Sequence, residues 1–201
     1  KYDNRIRSFG SSVAISGDTI VVGDVSYELE GIKPGYTNTN IGAAFIFIRD
    51  ALGDLTASWS QHARLSASDA ATQDLFGSSL AISEDTVVVG AIGNKVGGSA
   101  YVFTRDIPGN LTASWTQRDK LRASDAESRD KFGGSLDIGG DTIVVGAWGT
   151  DNEGYNTGSA YVFTRNIPGS LTEGWTQRDT LIASNGGRSG FDNYFGKSVA
   201  I

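Results

Sequence analysis

Cysteine is absent from the 201 residues, so neither a disulfide nor a thiolate metal site can form. Proline is scarce, at three residues, and the single histidine is His62. No apolar run approaches the roughly 20 residues of a membrane-spanning helix. No Lys/Arg run or basic stripe is present either. The 17 basic and 23 acidic side chains are spread along the chain for a net charge of −6, which excludes a nucleic-acid backbone as the expected partner. A G-x-S-x-G nucleophile turn is missing, and with it the simplest route to covalent catalysis. What the chain has in quantity is glycine, 27 residues, set among Val, Ile, Thr, Tyr and Phe. That mixture favours short strands joined by tight turns.

The sequence repeats. "FGSSVAISGDTIVVGD" (9–24), "FGSSLAISEDTVVVGA" (76–91) and "FGGSLDIGGDTIVVGA" (132–147) are versions of one phrase, and "FGKSVAI" (195–201) begins a fourth. The Phe-Gly pairs start at Phe9, Phe76, Phe132 and Phe195, giving periods of 67, 56 and 63 residues. Each period predicts four strands, typified by "FGSSLAIS" (76–83), "TVVVGA" (86–91), "SAYVFTR" (99–105) and "WTQRDKLRA" (115–123). We label them A to D. Strand B is apolar at every alternate position on both faces, as a strand covered on both sides should be. In strand D the even spacing of Trp115 and Leu121, repeated in Trp59/Leu65 and Trp175/Leu181, predicts that Trp and Leu share one face.

A repeated unit of four short antiparallel strands is a propeller blade. The expected fold is therefore all-β, with blade 1 at about 9–67, blade 2 at about 76–123, blade 3 at about 132–183 and the start of a fourth at 195–201. Three blades are too few to close a ring, so the expectation is a larger one. It would be completed either by more of the same polypeptide or by further copies of the chain.

In a meander of this kind the A–B and C–D connections lie at one end and the B–C and D–A connections at the other. The A–B turns and C–D loops keep one length in all three copies. The B–C loops hold 18, 7 and 11 residues, and the third D–A loop, "NGGRSGFDNY" (185–194), is also longer. All length variation thus falls at one end, where function is expected.

The phrases quoted above, with "GSAYVFTR" and "W…LRASDA", resemble the FG-GAP repeat, the blade unit of the integrin α-subunit head and of many microbial and algal proteins. The resemblance spans essentially the whole chain and implies a seven-bladed β-propeller on a secreted or surface protein that serves adhesion or ligand recognition. In one respect the sequence departs from it. Many blades of that kind carry a calcium loop, D-x-D-x-D-G-x-x-D, between strands A and B, whereas here a tight turn keeps only Asp18, Asp85 and Asp141. Calcium takes six to eight oxygens. One carboxylate per turn cannot supply them, and these aspartates read as residues bonding their own turn backbone.

Candidate ligand-binding residues lie in the B–C loops: Tyr27, Tyr36, Asn38 and Asn40 in the first, Asn94 and Lys95 in the second, and Trp148, Tyr155 and Asn156 in the third. Tyr and Trp rings beside amides suit a glycan or a protein surface. Asp151, Asn152 and Glu153, with Asn156, form an oxygen-rich stretch that is either a calcium site or a plain polar loop. Asp69 with Asp74 and Asp125 with Asp130 recur in the D–A loops as turn caps or in a calcium or ligand role. "NLT" at 110–112 makes Asn110 a glycosylation acceptor at the constant end. His62 stands where the sister strands have Arg118 and Arg178, so it reads as solvated surface and not as a general base.

The function expected from these residues is a non-catalytic extracellular binding or adhesion module for a carbohydrate or protein, with no firm cofactor. Two other readings stay open. One is a building unit of a surface layer, filament or appendage that self-associates. The other is a polysaccharide-active enzyme with acid pairs on different blades.

Overall fold

The computed structural model describes residues 8–28, 39–151, 157–184 and 193–201. Among the described residues twelve strands form three four-stranded antiparallel sheets, each in sequence order from A to D. Blade 1 is β1 (Phe9–Ser16), β2 (Thr19–Asp24), β3 (Ala43–Arg49) and β4 (Trp59–Leu65). Blade 2 is β5 (Phe76–Ser83), β6 (Thr86–Ala91), β7 (Ser99–Arg105) and β8 (Trp115–Leu121). Blade 3 is β9 (Ser135–Gly139), β10 (Thr142–Ala147), β11 (Ser159–Arg165) and β12 (Trp175–Leu181). Among the described residues no helix is long and apolar enough to cross a membrane.

The sheets stack face to face, and each seam carries a hydrophobic core. The forward face of one blade supplies aliphatic side chains, and the back face of the next adds Phe and Tyr rings to its own aliphatic ones. At the first seam Val21, Ala44, Ile46 and Leu65 meet Phe76, Leu80, Val87, Tyr101 and Phe103. At the second, Ala81, Val88, Val102 and Leu121 meet Phe132, Leu136, Ile143, Tyr161 and Phe163. The repeated Phe packs beneath strand C of its own blade. Phe76 lies 5.5 Å from the Tyr101 ring and 6.0 Å from Phe103, and Phe132 keeps 5.6 and 6.0 Å to Tyr161 and Phe163. Such tilted and edge-on pairs are favoured by the ring quadrupoles.

The Phe-Gly glycine and the strand B glycine meet across each seam. Ser12 Oγ donates to Gly77 O at 2.6 Å, and Ser79 Oγ to Gly133 O at 2.7 Å. A Cβ on Gly23 would lie 2.3 Å from Gly77 O, and one on Gly90 would lie 2.1 Å from Gly133 O. The two glycines of the repeated phrase are thus the place where neighbouring backbones touch.

Strand D differs from its sequence reading. One extra residue, at His62, Arg118 and Arg178 in the three blades, interrupts pairing with strand C. A bulge of this kind inverts the alternation beyond it. Trp115, opposite Arg105, therefore lies on the back face, whereas Leu121, opposite Ala100, lies on the forward face. Trp and Leu do not share a face. Strand A of blade 3 also starts later, at Ser135, leaving Phe132 outside the strand but still bridged to Gly98. Gly134 there makes room for Trp148, whose Nε1 would lie 2.8 Å from a Cβ at that position.

Candidate functional site

The two ends of the blades are built differently. At the A–B/C–D end, strand C finishes in an arginine, strand D starts with a tryptophan, and the A–B turn carries the aspartate. In blade 2, Arg105 Nε donates to Asp85 Oδ1 at 2.7 Å, and its guanidinium lies 4.4 Å from the Trp115 ring centre. Its Nη1 donates to Leu111 O at 2.9 Å. Its Nη2 crosses the seam to Thr19 Oγ1 of blade 1 at 3.1 Å. The other Asp85 oxygen accepts the Gly109 amide at 2.7 Å.

Blade 3 repeats the arrangement with Arg165, Asp141 and Trp175, and Arg165 Nη2 reaches Thr86 of blade 2 at 3.3 Å. In blade 1, Arg49 pairs with Asp18 at 2.6 Å over Trp59. Each aspartate thus clasps an arginine and a loop glycine, a different role from the turn capping expected from sequence. Both carboxylate oxygens are engaged and the neighbouring group is a cation, so these turns do not fit the calcium site of the resemblance. The arginine supplies the positive charge that an acidic turn needs.

The bulged D strands add further links. Arg118 Nε donates to Thr104 Oγ1 and Arg178 Nε to Thr164 Oγ1. Blade 1 has Ile48 in place of that threonine, and its bulge residue, His62, lies instead 3.2 Å from Ala113 O of blade 2. His62 is half-buried between blades and is not the solvated residue expected from sequence.

At the other end each D–A loop is bonded to the B–C loops of the blades that it joins. Gln73 N donates to Thr39 O at 2.7 Å, Gly93 N to Asp74 O at 3.0 Å, and Gly149 N to Asp130 O at 2.9 Å. Asp74 and Asp130 are buried caps of these loops, accepting the Ala71 and Glu127 amides at 2.9 and 2.6 Å. Burial raises both carboxyls above the usual range. For Asp130 the charges of Glu127, Asp125 and Asp151 add to the effect.

Asp69 has the opposite environment. It accepts Lys120 Nζ at 2.5 Å and Tyr101 Oη at 2.9 Å, and the lysine bond, foremost, holds its carboxyl low. The Tyr101 and Tyr161 hydroxyls are pushed well above 10, by burial first and then by Asp69 and Asp125 respectively. Blade 3 has Thr180 in place of Lys120, so its acidic loop loses that counter-charge.

Of the residues singled out in the sequence, Tyr27 packs edge-on to Phe45 at 5.7 Å and takes a hydrogen bond from Arg64. Asn40 adopts a positive φ of 34° and accepts the Leu75 amide through its backbone carbonyl. Asn94 turns the second B–C loop by accepting the Gly98 amide at 3.1 Å, while Lys95 beside it is exposed. Trp148 is half-buried, with its ring edge-on to Tyr194 at 5.6 Å.

Asp151 is exposed, and among the described residues no three His, Asp or Glu side chains come together to hold a metal ion. Tyr36, Asn38, Asn152, Glu153, Tyr155 and Asn156 lie outside the described residues. Asn110, at the constant end, is exposed, and its Oδ1 accepts Thr112 N at 3.1 Å and Thr112 Oγ1 at 2.9 Å. The structure thus brings Tyr27 and Asn40, Asn94 and Lys95, and Trp148 and Asp151 to the same end of the stack, in three successive loops.

Sequence reasoning missed the Arg–Asp–Trp clasp. Its signal was available, because the three residues recur in phase in all three copies.

No curated protein matches the chain. The FG-GAP repeat family, by contrast, matches residues 7–47, 59–103 and 115–163, about two thirds of the sequence. The second and third matches each begin at a strand D tryptophan and end in the next strand C, so the sequence unit is offset from the sheet by one strand. Repeats of this family are commonly extracellular binding modules and are generally non-enzymatic. With three in-phase matches on three four-stranded blades, the chain belongs to the FG-GAP repeat family.

Proposed function

We propose that this chain is a non-catalytic binding and adhesion module that works outside the cell and recognises a carbohydrate or a protein through its B–C and D–A loops. The observation that carries this reading is the asymmetry between the two blade ends. One end repeats the same clasp three times at constant loop length. The other end varies from 18 to 7 to 11 residues in its B–C loops. A rigid end with a varied opposite rim is how a scaffold presents different contacts on one frame.

Recognition would rest on shape and on polar groups, with Lys95 offering a charge and Val96 an apolar face at the tip of the second loop. A glycan on Asn110 would sit at the opposite end and leave this rim open. The seven-bladed ring implied by the family would set the loops of successive blades around one rim.

The test is retention of the chain on an immobilised panel of glycans and surface proteins, with variants at each end. Lys95→Glu combined with Val96→Asp is expected to weaken binding about tenfold, the effect of losing roughly 1.4 kcal/mol. Ile107→Asp, at an exposed constant-end loop, is expected to leave binding unchanged. Retention by no member of the panel, or loss on Ile107→Asp alone, would contradict the reading.

A further inference from the structure

The sixth residue of strand D is a cation in two blades and a threonine in the third: Arg64, Lys120 and Thr180. In blade 2 that cation completes a three-part contact with the D–A loop leading into the blade. Lys120 Nζ donates to Asp69 Oδ2 at 2.5 Å and lies 5.0 Å from the Tyr101 ring centre. Tyr101 Oη donates to the other oxygen, Oδ1, at 2.9 Å. Blade 3 keeps the aspartate and the tyrosine, as Asp125 and Tyr161, and lacks the lysine. This place lies in the seam between blades 2 and 3, with a complete sheet on either side.

The exchange leaves two groups without partners. Tyr161 is 0% exposed, and its Oη makes no hydrogen bond. Burial first and Asp125 second raise that hydroxyl, so the two groups face each other. Asp125 itself is exposed and forms no ion pair among the described residues. The acids around it are also less balanced than in blade 2. Burial raises both Asp74 and Asp130, but Lys120 works against the rise at Asp74, whereas Glu127, Asp125 and Asp151 add to it at Asp130.

The nearby cations are directed elsewhere. Arg122 acts on Tyr101 of blade 2, and Arg178 donates to Thr164. Arg129 and Lys131 form no ion pair with these acids among the described residues. A groove lined by Ser124, Gln177 and Thr180 runs between the D–A loop and β12. Gln177 spans it, donating to Ser124 Oγ and Thr180 Oγ1, each at 3.1 Å.

We propose that this place in blade 3 receives the ammonium of a lysine side chain on a partner protein. Asp125 is its counter-ion, the Tyr161 ring is the surface beside it, and Tyr161 Oη fixes the second carboxylate oxygen. Blade 2 supplies the pattern for each contact. With one carboxylate oxygen taken by the tyrosine, a single bond is left to the ligand, which suits an ammonium and leaves half of an arginine fork unused. The groove stands where the Lys120 stem runs in blade 2, so it asks for an unbranched chain and not for an amine on a sugar ring. Calcium needs six to eight oxygens, and among the described residues no three His, Asp or Glu side chains gather to hold a metal. The proposal deepens the binding reading above and rests on it for the D–A loop as a contact surface.

Titration of Nα-acetyl-lysine amide into the isotope-labelled intact chain, followed by amide chemical shifts, tests it. Saturable shifts are expected at Asp125, Glu127 and Thr180, with none to match at Asp69 and Lys120, where the place is already filled. Asp125→Asn should weaken binding about tenfold or more, through loss of the charged partner. Thr180→Lys should abolish it and raise the melting temperature, because the chain then supplies its own ammonium; mere crowding of the groove would not stabilise the fold. The Nε-acetylated probe, which carries no charge, should not bind. Absence of shifts at the highest soluble probe concentration would overturn the proposal, as would equal binding by Asp125→Asn. Glucosamine or calcium chloride shifting the same amides at lower concentration would overturn the lysine assignment in favour of a sugar amine or a metal. Lys95 and Val96 lie in a different loop, so their panel test stands or falls separately.

Discussion

Arg105→Ala is expected to cost about 3–5 kcal/mol of stability, the range for breaking a buried ion pair from one side. The guanidinium is almost fully buried and makes four kinds of contact. Its removal leaves Asp85 without its counter-charge, Leu111 O and Thr19 Oγ1 without a donor, and the Trp115 face without its cation. Arg105→Lys should recover only part of the loss, because an ammonium cannot reach Asp85, Leu111 and Thr19 from one planar fork. The equivalent Arg49→Ala should cost less, since Arg49 is 10% exposed and among the described residues its hydrogen bonds all stay within blade 1. Urea unfolding midpoints of the three variants check the ranking. Equal losses for Arg49 and Arg105 would remove the role assigned to the bond across the seam.

Gly90→Ala is expected to cost about 3 kcal/mol or more, at the upper end of overpacking effects. The added Cβ would lie 2.1 Å from Gly133 O and 2.3 Å from Ser79 Oγ. The serine can rotate away, but the carbonyl belongs to the neighbouring blade and can move only if the seam opens. Gly17→Ala is the control. It sits in a left-handed turn with φ of 54° and no atom within 4 Å of the new methyl. It should therefore show only backbone strain, about 1–2 kcal/mol. A melt in which both variants lose the same amount would mean that Gly90 matters only for chain conformation and not for blade contact.

Much of this architecture was legible in the sequence because it is written three times. Val87–Val88–Val89 and its copies marked a strand covered on both sides, and the phase of Phe-Gly fixed where each blade begins. Loop lengths alone separated a constant end from a variable one, since they are counted and not inferred. The strand D bulge was not legible. A strict alternation from Trp115 to Leu121 reads the same whether or not Arg118 is an extra residue, and only pairing with β7 reveals it. The recurrence of the clasp residues was visible, but their contacts were not, for a different reason. Arg105, Asp85, Leu111 and Thr19 come from two blades and are joined by no local spacing rule. At the variable end, the positions of Tyr27, Asn40, Asn94 and Lys95 followed from topology. The internal partners of Tyr27 and Asn94 did not, because Phe45, Arg64 and Gly98 are set by packing and loop closure.

The central claim is that the three repeats form one stack, joined at the Phe-Gly seams. Residue-resolved amide hydrogen exchange tests it most directly. The Phe76 amide donates to Ile41 O and the Phe132 amide to Gly97 O, each across a seam, at 3.0 and 2.8 Å. Both should be protected to the same degree as the amides of strand β6, which opens only when the stack does. Rapid exchange at Phe76 and Phe132 beside a protected β6 would contradict the claim, and would describe three independent sheets on a string.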